Sequence, residues 1–388
     1  MRSRIIFLLL SVFTTTCYST AQSSVKRNLS QIVLPHGFEI SIFSDAVSGA
    51  RSLAYGEDGT IFVGTRGVGS VYALTDSDGD SKAEVVRTIL NRRNIPNGVA
   101  FQNGDLYIAE INRVLRLENI ESNLDDPPPP EIIRDGFPSD RLHGWKYIAF
   151  GPDGLLYVPV GAPCNVCEPP DWRYSTILRM TSDGDELEVF ASGIRNTVGF
   201  DWHPETGELW FTDNGRDWLG DNLPPDELNR APKPGLHFGY PYLHGLEIKD
   251  PDFWDRRENI EMTLPEQELG PHVAALGMDF YEGDQFPQDY KGDIFIAEHG
   301  SWNRSVPIGY RVARVKLEGG RAVSYEVFAE GWLNEGSSWG RPVDVLELPD
   351  GSILVSDDKA GAIYRGAIAR RIKRQTSPSC HRLPWPAA

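Results

Sequence analysis

Short apolar strands that alternate with tight turns recur six times along the chain. Each repeat has an apolar strand, a turn that usually pairs Gly with Asp, Asn or Thr, and a second apolar strand. β-Branched and aromatic residues dominate the strands, and the glycine pairs supply the positive φ angles that hairpin turns need. The repeats begin at Ser52, Gly98, Tyr147, Val198, Leu276 and Val343.

Further strands follow most of these pairs. A third strand reads "SVYAL", "RVLRL" or "TILRM", and segments such as "LEVFASG" fit a fourth. Four short antiparallel strands repeated every 40–50 residues or so predict an all-β fold, a six-bladed β-propeller with four-stranded antiparallel blades over residues 34–366. The alternative is a β-sandwich, but six copies of one unit favour radial closure. We expect insertions near 121–131 and 219–275 and a polar C-terminal tail over 367–388.

The first 21 residues have the pattern of a signal peptide. Two arginines precede the apolar run 5–13, and a small-x-small cleavage motif ends at Ala21. The apolar run is too short to span a bilayer, so we expect no membrane span and a periplasmic or secreted protein. Cys17 leaves a lipoprotein as the alternative, although the threonines before it fit that signal poorly.

The net charge of −17 argues against nucleic acid or anionic lipid as the main partner, because both need a basic face. It also makes any cluster of arginines more informative. Cys164 and Cys167 form a CxxC motif with no second pair and no following His, which disfavours zinc and haem. In an exported protein this motif predicts a small disulfide that closes a loop, with a redox dithiol as the alternative.

The segment "TDSDGDSKAEVVR" has the spacing of a calcium loop at Asp76, Asp78 and Asp80. The twelfth position is Arg87 where such loops carry Glu, and no helices flank the segment. A solvated hairpin loop is therefore favoured over a metal site.

Polar residues flank the predicted inner strands, where a propeller gathers its loops around a central channel. We therefore expect function at these positions, which are Arg66, Asn97, Glu110, His143, Arg195, Asn196, Asp213, Asn214, His299, Arg304, Arg341 and Asp357.

The motifs "DRLHGWKYIAFGPDGLLYVPVG", "GIRNTVGFDWHPETGELWFTDNGRD", "DELN" and "WGRPVDVLELPDGSILVSDD" carry a family resemblance. From "LPHGFEISIF" to "AGAIYRG" the chain resembles the soluble quinoprotein glucose/sorbosone dehydrogenases. "GAPCNVC" and "EHGSWNRS" place it nearest the sorbosone-dehydrogenase-like branch. The resemblance implies oxidation of an aldose, a sorbosone-like sugar or a related aldehyde or alcohol by pyrroloquinoline quinone (PQQ) with Ca²⁺, and an electron acceptor that the sequence does not identify.

The resemblance also implies roles for individual residues. His143 falls on the catalytic base, and histidine suits a proton acceptor near neutral pH. PQQ carries three carboxylates, for which arginine is an apt partner. The residues expected to bind the cofactor are Arg66, Asn97, Arg195, Asn196, His299, Arg304 and Arg341.

Calcium is expected at the backbone carbonyls of Gly215 and Arg216, since this hard ion accepts carbonyl oxygens. Three positions depart from the family pattern. Ala162 replaces the Asp that holds the catalytic His, which leaves Asp140 or Glu110 as possible substitutes. One arginine of an Arg-x-Arg pair is missing after Arg341. The family lysine near the fifth blade is not evident.

Two other functions remain open from sequence. A metal-dependent lactonase-like hydrolase would place Asp213, Asn214 and Asp357 around one central ion and would need no arginine cluster. A non-catalytic secreted binding propeller would keep the scaffold and lose the chemistry.

Overall fold

Six β-sheets stand side by side around one axis in the computed structural model, which describes residues 25–26 and 28–369. Each sheet is a blade with four antiparallel strands, so the predicted six-bladed β-propeller is confirmed. From the inside outwards, the strands of the six blades are: first, Ala50–Tyr55, Ile61–Thr65, Val71–Thr75 and Val85–Leu90; second, Gly98–Gln102, Asp105–Ala109, Arg113–Leu117 and Glu131–Asp135; third, Ala149–Phe150, Leu156–Val160, Thr176–Met180 and Glu188–Ser192; fourth, Phe200–Trp202, Leu209–Asp213, Pro225–Ala231 and Gln267–Pro271; fifth, Ala275–Phe280, Ile294–Glu298, Arg311–Glu318 and Arg321–Ala329; sixth, Pro342–Glu347, Ile353–Asp357, Ala362–Ile368 and Phe38–Ser44.

The ring closes through a strand from the other end of the chain. Phe38–Ser44 is the outer strand of the sixth blade and pairs antiparallel with Ala362–Ile368, the third strand of that blade. This pairing joins the two ends of the propeller within one blade, so backbone hydrogen bonds hold the ring closed.

Neighbouring blades pack face to face through apolar side chains. Between the first and sixth blades, Leu53 and Ile61 are buried in one cluster with Leu354 and Ile363. The strand Leu156–Val160 is buried along its whole length, because neighbouring blades cover both faces of its sheet. Continuous apolar runs in the sequence have this cause, and the packed blades give the loops a rigid frame.

Shorter elements lie in the connections. Within the described residues they are two small hairpins, Leu243–His244 with Ile248–Lys249 and Leu333–Asn334 with Ser337–Ser338, a strand Leu236–His237, and the 3-10 helices Glu121–Asn123, Trp254–Arg256 and Gln288–Tyr290. The segment predicted as an insertion near 121–131 holds the first of these helices and ends where the outer strand of the second blade begins.

The predicted insertion over 219–275 is wrong in its extent. Pro225–Ala231 and Gln267–Pro271 inside it are strands of the fourth blade, so the chain leaves that blade only between 232 and 266. Within this excursion Leu236–His237 extends the third blade as a parallel fifth strand. The strand Pro225–Ala231 carries buried Asp226 and Glu227, so it lacks the apolar pattern of the other strands.

The acidic hairpin at Asp76, Asp78 and Asp80 caps its own backbone. Asp76 accepts the N–H groups of Gly79 and Ser81 at 2.8 Å each, and Asp80 pairs with Lys82 at 2.7 Å. This is the arrangement expected of a solvated loop, and a bound cation there stays an untested alternative.

The predicted signal peptide, residues 1–21, and all but the first three residues of the predicted tail 367–388 lie outside the described residues. Both stay predictions. Among the helices of the described part, none has the length and apolar character to cross a membrane.

Candidate active site

Loops from around the ring enclose a cavity of about 330 Å³ on one face of the propeller. Eight of the sequence-predicted site residues line this cavity, although they lie far apart in the sequence. These are Arg66, His143, Arg195, Asn196, Asn214, Gly215, His299 and Arg341.

His143 lies just before the inner strand of the third blade and is almost completely buried. Its backbone is left-handed, with φ of 51°, and its Nδ1 lies 2.9 Å from the backbone carbonyl oxygen of Ala162. A carbonyl oxygen only accepts hydrogen bonds, so Nδ1 must carry the proton and the Nε2 lone pair remains free. The imidazole is thus held in the tautomer that a general base needs.

The backbone carbonyl of Ala162 therefore orients the imidazole, at the position where the sequence analysis expected an Asp side chain. The N–H of Ala162 donates to the carbonyl of Arg195 at 2.8 Å, which fixes this backbone in place. The two carboxylates suggested from sequence as substitutes bond elsewhere. Asp140 accepts a hydrogen bond from Tyr174, and Glu110 pairs with Arg93 and Arg113.

Burial, and next the nearby charge of Arg195, lowers the pKa of His143 to about 3. The carbonyl of Ala162 acts in the opposite direction but is outweighed. The imidazole is therefore neutral across the physiological range.

This shift has a measurable consequence for stability. The pKa of a histidine in an unfolded chain is near 6.5. Between about pH 6 and 4, His143 is therefore protonated in the unfolded chain and neutral in the folded protein. As the pH is lowered through this range, the free energy of unfolding should decrease in the wild type. The decrease should be steeper than in His143→Gln by about 1.4 kcal/mol per pH unit. Denaturant titrations of both proteins at pH 6 and pH 4.5 measure this difference; equal slopes would contradict the buried, neutral imidazole.

Arg66 stands on the rim of the cavity without a hydrogen-bond acceptor among the described residues. Its guanidinium stacks 3.8 Å from the ring centroid of Trp145. Although the side chain is exposed on the rim, partial burial of its guanidinium and the neighbouring Arg51 lower the pKa of Arg66 to about 10. The buried Nε1–H of Trp145 also has no partner in the described part of the chain. Arg66 and Trp145 both line the cavity, so each brings a hydrogen-bond donor to its wall.

Two further arginines are fixed by acceptors around them. Arg195 donates from Nε to the carbonyl of Asn165 at 2.8 Å and from Nη2 to Asp217 at 3.1 Å. Arg341 donates from Nε to the carbonyl of His299 at 2.8 Å. Such contacts orient the planar guanidinium groups before any ligand arrives.

Arg51 is a lining residue that the sequence analysis missed. It is fully buried at the start of the first inner strand, and its Nη1 lies 2.8 Å from Asp358. Asp358 also lies 2.9 Å from Nε2 of His299, so one carboxylate positions an arginine and a histidine. The only signal in the sequence was an arginine at the head of an otherwise apolar strand. Arg51 brings the cavity to four arginines, despite the arginine missing after Arg341.

Three of the predicted site residues do not reach the cavity with their side chains. Asn97 is buried behind it and accepts a hydrogen bond from Nε of Arg51 at 2.5 Å. Arg304 donates to the carbonyl of Val306 at 3.1 Å on the outer side of its loop. The side chain of Arg216 forms a buried ion pair with Asp250 at 2.5 Å.

The carboxylates proposed for a lactonase centre have structural partners instead. Asp213 accepts the backbone N–H groups of Arg195 and Asn196 at 2.8 and 2.6 Å. Asp357 accepts the N–H of Arg341 at 2.9 Å. Neither lines the cavity, so the structure does not assemble the predicted central ion site from these side chains.

The carbonyl oxygens of Gly215 and Arg216 fit a calcium site in their chemistry. Neither accepts a hydrogen bond within the described residues, and Gly215 lines the cavity. Asp217 and Asp226 also line the cavity and offer carboxyl oxygens, and burial raises the pKa of Asp226 to about 7. Carbonyl and carboxylate oxygens are the ligands that Ca²⁺ prefers.

Cys164 and Cys167 form a disulfide in the loop beside this wall. Asn165, one of the two residues between them, accepts hydrogen bonds from Arg195 and from the N–H of Asp217. The disulfide therefore stiffens the loop that positions Arg195.

The fold and the site define a class of protein: a closed six-bladed propeller with an oriented, buried histidine and four arginines around one axial cavity. The family model described as glucose/sorbosone dehydrogenase matches residues 131–365. The chain belongs to this family.

Individual proteins resemble this chain in sequence or in fold. An uncharacterised protein of Borreliella burgdorferi is 34% identical over 373 residues, which cover 92% of this chain and 96% of that protein. A calcium structure of a Trichoderma reesei carbohydrate-active enzyme of family AA12 is 20% identical with a TM-score of 0.74, over 87% of this chain and 97% of that one. The holo form of the pyranose dehydrogenase PQQ domain from Coprinopsis cinerea is 17% identical with a TM-score of 0.73, over the same shares. At these identities the two structures show a shared fold.

Proposed function

We propose that the protein is a PQQ-dependent oxidoreductase that oxidises an aldose, a sorbosone-like sugar or a related alcohol or aldehyde. The observation that carries the proposal is the placement of the free Nε2 of His143 in a cavity lined by Arg51, Arg66, Arg195 and Arg341. A base and an anion cradle in one enclosure are the two things that this chemistry needs.

The lining fits a flat trianion. Within the described residues, Arg66 and the indole N–H of Trp145 have no hydrogen-bond acceptor, and backbone carbonyls orient Arg195 and Arg341. Arginine presents a planar fork that matches carboxylates. We infer that Ca²⁺ is held by the carbonyls of Gly215 and Arg216 beside this cradle.

Bound PQQ supplies the acceptor for the two electrons that leave the sugar carbon as hydride. The protein's part is proton removal and positioning. Nε2 of His143 accepts the hydroxyl proton while the C–H bond breaks, so the C–OH group becomes C=O. The carbonyl of Ala162 holds the imidazole and stabilises the charge it gains. The cavity also excludes bulk water from the reacting atoms.

The substrate enters past exposed aromatic side chains at the mouth. Trp302 lines the cavity, and its ring lies 5.5 Å from that of Trp218. Aromatic rings offer flat apolar surfaces to a sugar ring. We infer a periplasmic or secreted location from the N-terminal pattern, with a separate electron acceptor that reoxidises the cofactor.

Dye reduction with a panel of aldoses, after reconstitution with PQQ and Ca²⁺, tests this function. We expect turnover that requires PQQ. Ester hydrolysis that needs no PQQ and is lost in EDTA would instead establish the lactonase. If no substrate is turned over and no PQQ binds, the non-catalytic binding propeller would be the remaining interpretation.

The close packing of Gly161 against His143 gives a sharper test. A Cβ at Gly161 would lie 2.6 Å from Cβ of His143, so Gly161→Ala must push the imidazole out of place. We expect kcat to fall about 10- to 100-fold, because small displacements of a catalytic group cost that much. Gly67→Ala is the matched control, since a Cβ there meets nothing within 4 Å. Full activity in Gly161→Ala would argue against His143 as the base.

A further inference from the structure

A second pocket of about 270 Å³ lies beside the cavity on the same face of the propeller. Its walls come from the loop after strand Leu156–Val160 and from the excursion between 232 and 266. The residues that matter are Trp172, Ser175, His237 and Tyr242.

We propose that this pocket binds a saccharide unit next to the one that enters the cavity, so that the substrate is the end of an oligosaccharide chain. This inference rests on the proposed function, because it assumes that a sugar unit occupies the cavity. It adds a substrate class and a site separate from the residues around His143.

Aromatic surfaces in the pocket suit a pyranose ring. The side chain of Trp172 lines the pocket and is 59% exposed, so its ring is accessible to a ligand. Tyr242 stacks on His237, with ring centroids 6.2 Å apart and planes 28° apart. Sugar rings present C–H faces to such surfaces, and the aromatic contact adds to burial.

Polar groups without partners supply the hydrogen bonds that a sugar hydroxyl needs. The hydroxyl of Ser175 is buried and unpaired among the described residues, on a residue that is only 3% exposed. Nδ1 of His237 accepts the N–H of Gly239 at 3.1 Å, and burial lowers the pKa of His237 to about 4. At neutral pH Nε2 therefore carries the proton, and it has no acceptor in the described part. A buried hydroxyl without a partner is unfavourable until a ligand or water satisfies it.

One loop connects the pocket to the cavity. Gly193 lines the pocket and Arg195 lines the cavity, so about 7 Å at most separates their backbones. In the disulfide loop, Asn165 contacts Arg195, while the N–H of Cys167 donates to Tyr240 in the pocket wall at 3.0 Å. A chain whose end unit lies in the cavity can therefore reach the pocket with a neighbouring unit.

Chain-length dependence tests this inference in the reconstituted enzyme. With cello- and malto-oligosaccharides from one to six units, we expect KM to fall about tenfold or more from the monosaccharide to the best longer chain in one series. Trp172→Ala should remove that gain and leave kcat and KM for the monosaccharide unchanged. Tyr55→Ala, an exposed aromatic residue outside both cavities, is the control. Ser175→Ala is a milder second variant that should lose part of the gain.

Binding to the cofactor-free protein separates this inference from the proposed function. Calorimetric titration with the same oligosaccharides should show chain-length-dependent binding that Trp172→Ala abolishes. If this binding is found but the reconstituted protein oxidises no sugar, the pocket is supported and the oxidoreductase function is refuted. Equal KM and equal binding for all lengths, with turnover intact, would refute the pocket and leave the function standing. Proline-rich peptides also bind aromatic grooves. If such a peptide binds the pocket and no oligosaccharide does, the saccharide site would be refuted as well.

Discussion

Replacing His143 by Gln lowers kcat/KM for sugar oxidation by about 10²- to 10⁴-fold, the usual contribution of a positioned general base. PQQ binding stays close to that of the wild type. The imidazole is neutral because burial and Arg195 lower its pKa to about 3, so Gln preserves the charge of the cavity. Steady-state kinetics with saturating PQQ and Ca²⁺, and a separate PQQ titration, measure the two quantities.

The control for this variant is His36→Gln, at an exposed histidine away from the cavity. It should behave as wild type in both assays. A His143→Gln enzyme with more than a tenth of the wild-type kcat/KM would show that another group removes the proton.

Replacing Arg66 by Ala weakens PQQ binding by about 10- to 100-fold, because a charge-assisted hydrogen bond is worth about 1.5–3 kcal/mol. Arg66 has no hydrogen-bond acceptor among the described residues, so the variant loses its stack on Trp145 and the hydrogen bond that the ligand would accept. Since Arg66 lies on the rim, the loss should shrink as salt is raised. With PQQ at saturation, kcat should remain near wild type.

Arg304→Ala is the matched control for Arg66. The sequence analysis predicted a cofactor contact for both arginines. In the structure, however, the guanidinium of Arg304 donates hydrogen bonds to backbone carbonyls, including that of Val306. Arg304→Ala should therefore leave PQQ affinity unchanged. Arg66→Lys should fall between wild type and Arg66→Ala, because Lys keeps the charge but loses the planar stack on Trp145. If Arg304→Ala costs more affinity than Arg66→Ala, the placement of the anion is wrong.

The blades were predictable because their signal is local. Two apolar strands and a glycine turn occupy fewer than 30 residues in each repeat, and repetition reveals the ring. The positions of the predicted strands also identified polar residues at strand ends, such as His143, Arg195 and Arg341, as candidate site residues. The closing strand Phe38–Ser44 did not, because its partner Ala362–Ile368 lies at the far end of the chain.

The remaining misses concern backbone groups and buried polar residues. No residue type marks the carbonyl of Ala162 as the group that orients His143, since any residue carries the same oxygen. Arg51 lies at the start of a mainly apolar strand, so nothing marked it as a site residue. Buried Asp226 interrupts the apolar pattern of the third strand of the fourth blade, so that strand was not predicted. In each case the hydrogen-bond partner that makes burial acceptable comes from a distant part of the chain.

The central claim is that one axial cavity holds a flat trianion beside His143. Titration of the purified, cofactor-free protein with PQQ, followed by visible absorbance with and without Ca²⁺, tests it most directly. We predict saturable binding of one PQQ per chain that Ca²⁺ tightens and Arg66→Ala weakens. A spectrum identical to that of free PQQ at every protein concentration would contradict the account.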